Sequence, residues 1–161
     1  MIPVTVKGIT LDANNNPVLI LEEINGNRIL PIWIGPVEAT AISYALQKQK
    51  AHRPLTLDLI KRIIKGLGAK VLKVVITEIK NTTYYANMML ETNGKVVLID
   101  ARPSDSVAIA VHMNVPIYVA KEVMDSQSQR FEKETKGEKS EDIIKKKITG
   151  IEPEDFGNYK L

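Results

Sequence analysis

The stretch DARPSDSVAIAV, residues 100–111, decides the fold because it joins an apolar strand to a helix. Pro103 suits the first helical position, where its fixed φ fits the helix and its missing N–H costs nothing. Asp105 follows in the first turn, where a carboxylate meets the positive end of the helix dipole. We therefore predict a strand, a short charged turn and a helix from Pro103 to Met113, with Asn114 as a left-handed cap.

An earlier stretch, RILPIWIGPVEATAI at residues 28–42, follows the same plan. Three of its residues recur 67 positions later in the same order, since Pro36, Ala41 and Ile42 return as Pro103, Ala108 and Ile109, and the acid Glu38 is matched at the same spacing by Asp105. An Asn-Gly pair precedes both strands, which is a hairpin signal. We infer an internal duplication, with pseudo-repeats at about 4–67 and 70–124 related by a pseudo-twofold.

The strand and helix patterns predict an α/β (α+β) fold, with one mixed β-sheet or two packed sheets and helices against them. Each half follows a β-β-β-α-α-like unit. In the first half, the continuous apolar run at 28–34 indicates a strand buried on both faces, with Pro31 at an edge or bulge. The helices are predicted from about Pro36 to Lys48 and from Thr56, a residue type that often acts as an N-cap. A strand at 115–119 and a helix beginning at Lys121 close the second half.

Composition indicates one domain, predicted at residues 1–124, followed by a polar and partly mobile tail at 125–161. No apolar run reaches the roughly 18 residues of a membrane span, and the start of the chain lacks a signal-peptide pattern. The absence of cysteine excludes disulfides and thiolate metal sites, so we expect a cytoplasmic protein. The net charge of +3 permits contact with nucleic acid without requiring it.

Three motifs in order resemble the bifunctional nuclease domain family, over about residues 4–124. They are LPIWIG at 30–35 with Glu38, RPLT at 53–56 with Asp58, and DARPSD at 100–105. The resemblance implies a nuclease that acts on RNA and DNA, as the plant members of the family are associated with both activities. The chain departs from the family at Leu57, where relatives often carry a histidine.

The acids and arginine of these motifs are the candidate catalytic residues: Asp100, Arg102, Asp105, Glu38 and Asp58. Phosphodiester hydrolysis needs an activated water and positive charge near the developing oxyanion. Clustered carboxylates supply this by binding Mg²⁺ or Mn²⁺, so we expect a divalent metal held by Asp100, Asp105 and Glu38. Glu38 and Asp105 also have a structural explanation at the helix dipoles. Asp100 and Arg102, which the first repeat replaces by Trp33 and Gly35, are the stronger functional candidates.

Four basic residues are candidates for binding nucleic acid: Arg53, Arg102, Lys61 and Arg62. Guanidinium groups fork onto phosphate oxygens, although a basic helix face is most often simply solvated. His52 and His112 offer a general base near neutral pH, and His112 fits a half-buried structural residue equally well. Trp33 could stack a base, although an apolar strand favours a core or interface position.

Two functions follow from these observations. The first is a nuclease that cleaves RNA and DNA with a divalent metal and forms a homo-oligomer, a dimer or larger. The second is a non-enzymatic oligomeric binding or regulatory module, in which the acid–arginine turns hold the two halves together. Convergence of the motif acids in an open cleft would favour the enzyme, whereas paired and buried acids would favour the module.

Overall fold

The computed structural model describes residues 1–48 and 51–130. These residues form two runs of three antiparallel strands, each followed by helices. The first half contains β1 (Ile2–Leu11), β2 (Pro17–Glu23), β3 (Arg28–Trp33), α1 (Pro36–Gln47) and α2 (Thr56–Gly66). The second half contains β4 (Lys70–Lys80), β5 (Thr83–Thr92), β6 (Lys95–Ala101), α3 (Pro103–Met113), β7 (Ile117–Val119), α4 (Lys121–Gln127) and β8 (Gln129–Arg130).

The strands form one mixed eight-stranded sheet in the order β6-β5-β4-β7-β1-β2-β3-β8. Strand β7 lies at the centre, parallel to β4 and antiparallel to β1, and all other pairs are antiparallel. The predicted α+β class with a mixed sheet is therefore confirmed. The second half differs from a β-β-β-α-α unit because β7 separates its two helices. The internal duplication itself stays a prediction.

Local signals in the sequence located the turns and caps of the second half. Asn93 and Gly94 both have positive φ, at 50° and 70°, and connect Thr92 to its partner Lys95. This is the two-residue turn that an Asn-Gly pair favours. Helix α3 has the predicted bounds, and Asn114 is left-handed with a φ of 57°.

Two predicted boundaries were wrong by one or two residues, and one predicted cap was wrong. Lys48 does not continue α1 but caps it, with a φ of 50°. Thr56 is the first residue of α2, and Leu55 is its N-cap because the carboxylate of Asp58 accepts the Leu55 N–H at 3.0 Å. The strand predicted at 115–119 is confined to β7, since Val115 continues the end of α3 through a hydrogen bond to Ala110.

Helix α3 lies at the centre of the core. It packs beside α1 and α2 and against β4 and β5, and seven of its residues are buried: Pro103, Ser104, Ser106, Val107, Ala108, Ile109 and Ala110. Small side chains on this helix allow its neighbours to approach closely, as dense packing requires. No helix within residues 1–48 and 51–130 is long and apolar enough to cross a membrane.

Strands β2 and β3 are covered on both faces, as predicted for β3, because consecutive residues of each strand are buried. Pro31 lies where β3 forms the edge of the sheet, since β8 pairs only with Arg28 and Ile29. Helix α4 and strand β8 continue the regular structure past Met124, where the domain was predicted to end, and the domain division itself stays a prediction. The rest of the predicted tail, 131–161, lies outside the described residues.

The turn between β1 and β2 contains a buried carboxylate that anchors the single tryptophan. Asp12 accepts hydrogen bonds from the backbone N–H groups of Asn14 and Asn16 at 2.9 and 2.8 Å, and from the Asn16 amide at 3.1 Å. The Trp33 indole N–H donates to the same carboxylate at 3.0 Å. Burial alone raises the pKa of Asp12, but these hydrogen bonds outweigh it and hold the pKa below its ordinary value.

Acid should destabilise the protein through Asp12. A carboxyl with a lowered folded pKa stabilises the fold above its unfolded pKa, near 3.8, and that contribution disappears as pH falls toward the folded pKa. We expect Asp12→Asn to lower the free energy of unfolding at pH 7 by about 2 kcal/mol, because it removes hydrogen bonds to a charged group. It should also make the protein less sensitive to acid below about pH 4. Urea unfolding followed by Trp33 fluorescence measures both effects.

Asn14→Ala is the matched control for this measurement, because Asn14 contributes its backbone N–H and not its side chain. The control should keep the acid dependence of the native protein. An unchanged acid dependence in Asp12→Asn would show that the Asp12 hydrogen bonds do not contribute to it.

Candidate active site

Arg102 joins the two halves of the chain at the start of α3. Its Nε and one Nη donate to both carboxylate oxygens of Asp105, at 2.6 and 3.0 Å. Its other Nη donates to Glu38 of α1 at 2.8 Å. The acids that follow Pro36 and Pro103 therefore meet through one guanidinium, and three of the predicted catalytic residues lie together.

The local sequence explains why these three side chains converge. Both helices begin with proline, and Gly35 and Arg102 occupy the two N-cap positions. A Cβ on Gly35 would collide with the carboxylate of Glu38, so glycine allows that side chain to fold back over the helix start. Since α1 and α3 pack side by side and Arg102 links their first turns, the positive ends of both dipoles point toward this cluster.

The cluster is open to solvent on the side of its cation. The side chains of Arg102 and Asp105 are 55% and 47% exposed, whereas that of Glu38 is 15% exposed. Hydrogen bonds to Asp105 and then to Glu38 raise the pKa of Arg102 above its already high ordinary value. The guanidinium is thus fixed in place and permanently charged, which is the state that an oxyanion or phosphate recognises.

Asp100 lies apart from this cluster. It is exposed on β6 opposite Asn87, whereas its neighbour Ala101 pairs with the buried Ala86. Side chains alternate between the faces of a strand, so Asp100 points to the face opposite the helices. The metal set predicted from Asp100, Asp105 and Glu38 is therefore not assembled. Across residues 1–48 and 51–130, no group of three or more His, Asp or Glu side chains is arranged to hold a metal ion.

Asp58 on α2 contacts His112 on α3, at a position separate from the Arg102 cluster. Its Oδ1 lies 3.2 Å from Nε2 of His112, at a distance for ion pairing but off the direction of a good hydrogen bond. Both side chains are partly buried, at 29% and 14% exposure. His112 is thus half-buried, as one of its two predicted roles required, and it supplies an imidazole beside the Asp of the RPLT motif.

The other basic residues predicted to bind nucleic acid are exposed or partly exposed. Arg53 is exposed in the connector between α1 and α2, and Arg62 is exposed on α2, with Lys61 half-buried beside it.

Trp33 is buried and held by Asp12, so its side chain is not available to stack a base. Trp33 therefore occupies the core position that its apolar strand favoured, and the stacking alternative does not apply.

A second arginine fork was missed by the sequence analysis. Arg28 donates to both oxygens of Glu23, at 2.7 and 2.9 Å, and to Asp125 of α4 at 2.7 Å. The contact with Glu23 across a predicted hairpin could have been found from the sequence. Asp125 is 97 residues away from Arg28, and no local pattern indicates that contact.

Removing Arg102 should separate the first turns of α1 and α3. Arg102→Ala is expected to lower the free energy of unfolding by about 1 kcal/mol, a small effect because exposed ion pairs are screened by water. A double-mutant cycle with Glu38→Gln should give a coupling energy of about 0.5 kcal/mol that decreases as salt is added. Urea unfolding at two ionic strengths tests this, and a zero coupling energy at low salt would contradict the bridge.

Known proteins resemble this chain along most of its length. The model of the bifunctional nuclease domain matches residues 19–132. Uncharacterized protein Rv1829 of Mycobacterium tuberculosis is 40% identical over 161 residues, which cover 95% of this chain and 96% of that protein. Bifunctional nuclease 1 of Arabidopsis thaliana is 28% identical over 123 residues, covering 74% of this chain and 38% of the plant protein.

Bifunctional nuclease 2 of the same plant is 27% identical over 121 residues, which cover 73% of this chain and 37% of that protein. The similarity to these plant nucleases is thus confined to little more than a third of their length. The matched region contains Glu38, Asp58 and the whole DARPSD motif, so it includes the Arg102 cluster. The chain belongs to the bifunctional nuclease domain family.

Proposed function

We propose that this protein is a nuclease that cleaves phosphodiester bonds in RNA and DNA, with Arg102 contacting the scissile phosphate. The observation that carries the proposal is a half-exposed guanidinium fixed by carboxylates from both halves of the chain. Membership of the bifunctional nuclease domain family and the names of the plant relatives support the choice of reaction.

The donor geometry of Arg102 suits a phosphate. A guanidinium has five N–H groups, and the contacts with Asp105 and Glu38 use three of them. The other two belong to the two Nη atoms and are available to phosphate oxygens. Because the side chain is already held, binding costs little additional ordering, and the charge is in place as the transition state forms.

Asp105 is the carboxylate best placed to orient the attacking water. It lies directly beside Arg102 and is far more exposed than Glu38. In this proposal Glu38 positions Arg102 from α1, and Arg53, Lys61 and Arg62 contact phosphates away from the reacting bond. Basic residues at a distance are needed because Arg102 with its two acids carries a net charge of −1, which repels a polyanion.

Metal dependence stays a prediction. The three acids expected to bind Mg²⁺ or Mn²⁺ do not fit a metal centre in this arrangement. The carboxylates of Glu38 and Asp105 already accept hydrogen bonds from Arg102, and Asp100 points to the other face of the sheet. The roles proposed for Arg102 and Asp105 are therefore those of the side chains themselves. A homo-oligomer and a cytoplasmic location are also proposed, the latter on the basis of the cysteine-free sequence.

The alternative is a non-enzymatic oligomeric binding or regulatory module, and one observation favours it. Glu38 and Asp105 are paired with Arg102 and do not converge in an open carboxylate cleft. Such an ion-paired junction is sufficient to hold α1 and α3 together without any reaction. In that case Arg102 and its acids contribute to stability alone.

Cleavage of single- and double-stranded RNA and DNA, with and without EDTA, separates these functions. We expect the wild type to cleave and Arg102→Ala to be slower by at least about 10²-fold, as when a charge-stabilising donor is removed. Arg102→Lys should recover only part of this rate, because lysine keeps the charge but not the fork. Asp105→Asn should also slow cleavage, and EDTA reports whether a metal is required.

Arg28→Ala is the matched control, because Arg28 is also held by two carboxylates but lies in another part of the fold. It should retain the wild-type rate at a temperature where all variants are folded. Equal rates in wild type and Arg102→Ala would indicate a contaminating nuclease. A wild type that cleaves nothing under any metal condition, with Asp105→Asn lowering the melting temperature, would support the binding module.

Salt dependence tests the predicted phosphate-binding residues. Replacing Arg53, Lys61 or Arg62 by alanine should weaken binding of all nucleic-acid sequences alike. Each replacement should also reduce the slope of log affinity against log salt by about 1, because one fewer phosphate is neutralised by the protein. Fluorescence anisotropy with a labelled single strand measures this slope.

Lys80→Ala provides the control, since Lys80 is exposed but paired with Glu78. Slopes unchanged in all three variants would exclude these residues from the binding surface.

A further inference from the structure

Strand β6 presents an exposed apolar edge to solvent. Within the described residues it pairs only with β5, whereas the strand at the far side of the sheet, β3, is partly covered by β8. Its four central residues are each between 40% and 59% exposed: Val96, Val97, Leu98 and Ile99. Since alternate side chains point to opposite faces, the edge is apolar on both faces of the sheet.

Such an edge departs from the usual protection of edge strands. Proteins normally interrupt a free edge with charges, proline or a bulge, because its unpaired backbone groups otherwise attract another strand. The residues between Lys95 and Asp100 include no charge and no proline. The register with β5 is unbroken from Lys95 to Ala101. The edge is therefore regular enough to serve as a template for another strand.

We propose that β6 pairs in antiparallel orientation with β6 of a second copy of this chain, continuing the sheet across a two-fold axis. The inference rests on the homo-oligomer proposed above and does not depend on nuclease activity. A second copy is the occupant because the strand is self-complementary: it carries an apolar centre and opposite charges at its two ends.

The charges favour the antiparallel orientation. Pairing β6 in this way brings the positive Lys95 end of one copy toward the negative Asp100 end of the other at both ends of the interface, with the two side chains on opposite faces of the sheet and therefore not in a direct ion pair. A parallel arrangement would place like charges together, which costs free energy. The apolar side chains on both faces would meet their counterparts, so that one association removes both exposed faces and the unpaired edge from water.

Symmetry limits the register of this pairing. Opposed residues in an antiparallel pair lie on the same face, so in a two-fold pair one residue must oppose itself. The centre of the exposed run places that residue at Val97 or Leu98. With a rise of about 3.3 Å per residue, the Arg102 side chains of the two copies would then stand about 30 Å apart, at opposite ends of the interface.

The outer side of α2 is the competing surface. Four apolar side chains spaced four residues apart are exposed there: Leu55, Leu59, Ile63 and Leu67. The helix satisfies its own backbone hydrogen bonds, however, whereas along β6 a row of backbone donors and acceptors has no strand partner in the part of the chain that the structure describes. Pairing with another strand would therefore satisfy backbone hydrogen bonds at β6 that association through α2 would not. Substitutions on the exposed face of α2 serve as matched controls for substitutions in β6.

Sedimentation equilibrium of the full chain tests the surface. We expect the wild type to be a dimer, Leu98→Lys to be a monomer, and Leu59→Lys to remain a dimer, although Leu59 and Leu98 are similarly exposed, at 53% and 59%. A monomeric wild type would overturn both the homo-oligomer and the interface. A dimer that survives Leu98→Lys but dissociates with Leu59→Lys would assign the interface to α2 and overturn the role of β6.

Cysteine cross-linking gives an independent result that does not require dissociation. Because the chain contains no cysteine, a single Val97→Cys or Leu98→Cys forms a disulfide only with a second copy. One of these variants should cross-link on mild oxidation, since opposed residues of an antiparallel pair lie within disulfide range. Leu59→Cys should not cross-link. Cross-linking at position 59 and at neither β6 position would overturn the proposal, whatever the cleavage assays give.

Discussion

The burial of α3 is the constraint on which the rest of the structure depends. The helix is enclosed by α1, α2 and the sheet, and small residues such as Ser104, Ala108 and Ala110 allow that enclosure. Pro103 fixes where the helix begins, so Arg102 must lie just outside it. From that position its guanidinium can reach Asp105 one turn later and Glu38 on α1. Core packing thereby determines the location of the charged cluster.

The same arrangement occurs twice in the described part of the chain: an arginine is held by two carboxylates from different elements. Arg28 ties β2 and β3 to α4, and Arg102 ties α1 to α3. The difference between them is exposure, since the Arg28 side chain is mostly covered while that of Arg102 is half open. A covered fork can only stabilise the fold. An open fork has donors facing solvent, and this is why the proposed phosphate contact is at Arg102.

Sequence reasoning succeeded where the signal is local. The Asn93-Gly94 turn, the bounds of α3 and its cap at Asn114 follow from backbone preferences of the residues themselves. Glu38 and Asp105 were predicted to belong to one site, and in the structure Arg102 contacts both of them. Sequence reasoning favoured the core position of Trp33 but did not find its partner, because no local pattern indicates that Asp12, 21 residues earlier, accepts the indole N–H.

The sequence by itself determined the family, the α+β class and the residues from which a site can be built, because motifs and periodicity are properties of neighbouring residues. Only the tertiary structure decided which of those residues meet. Strand alternation turned Asp100 away from the helix layer, and helix packing brought Glu38 to Arg102 across 64 residues of chain. Side chains become neighbours through pairing register and packing, which depend on contacts distant in sequence.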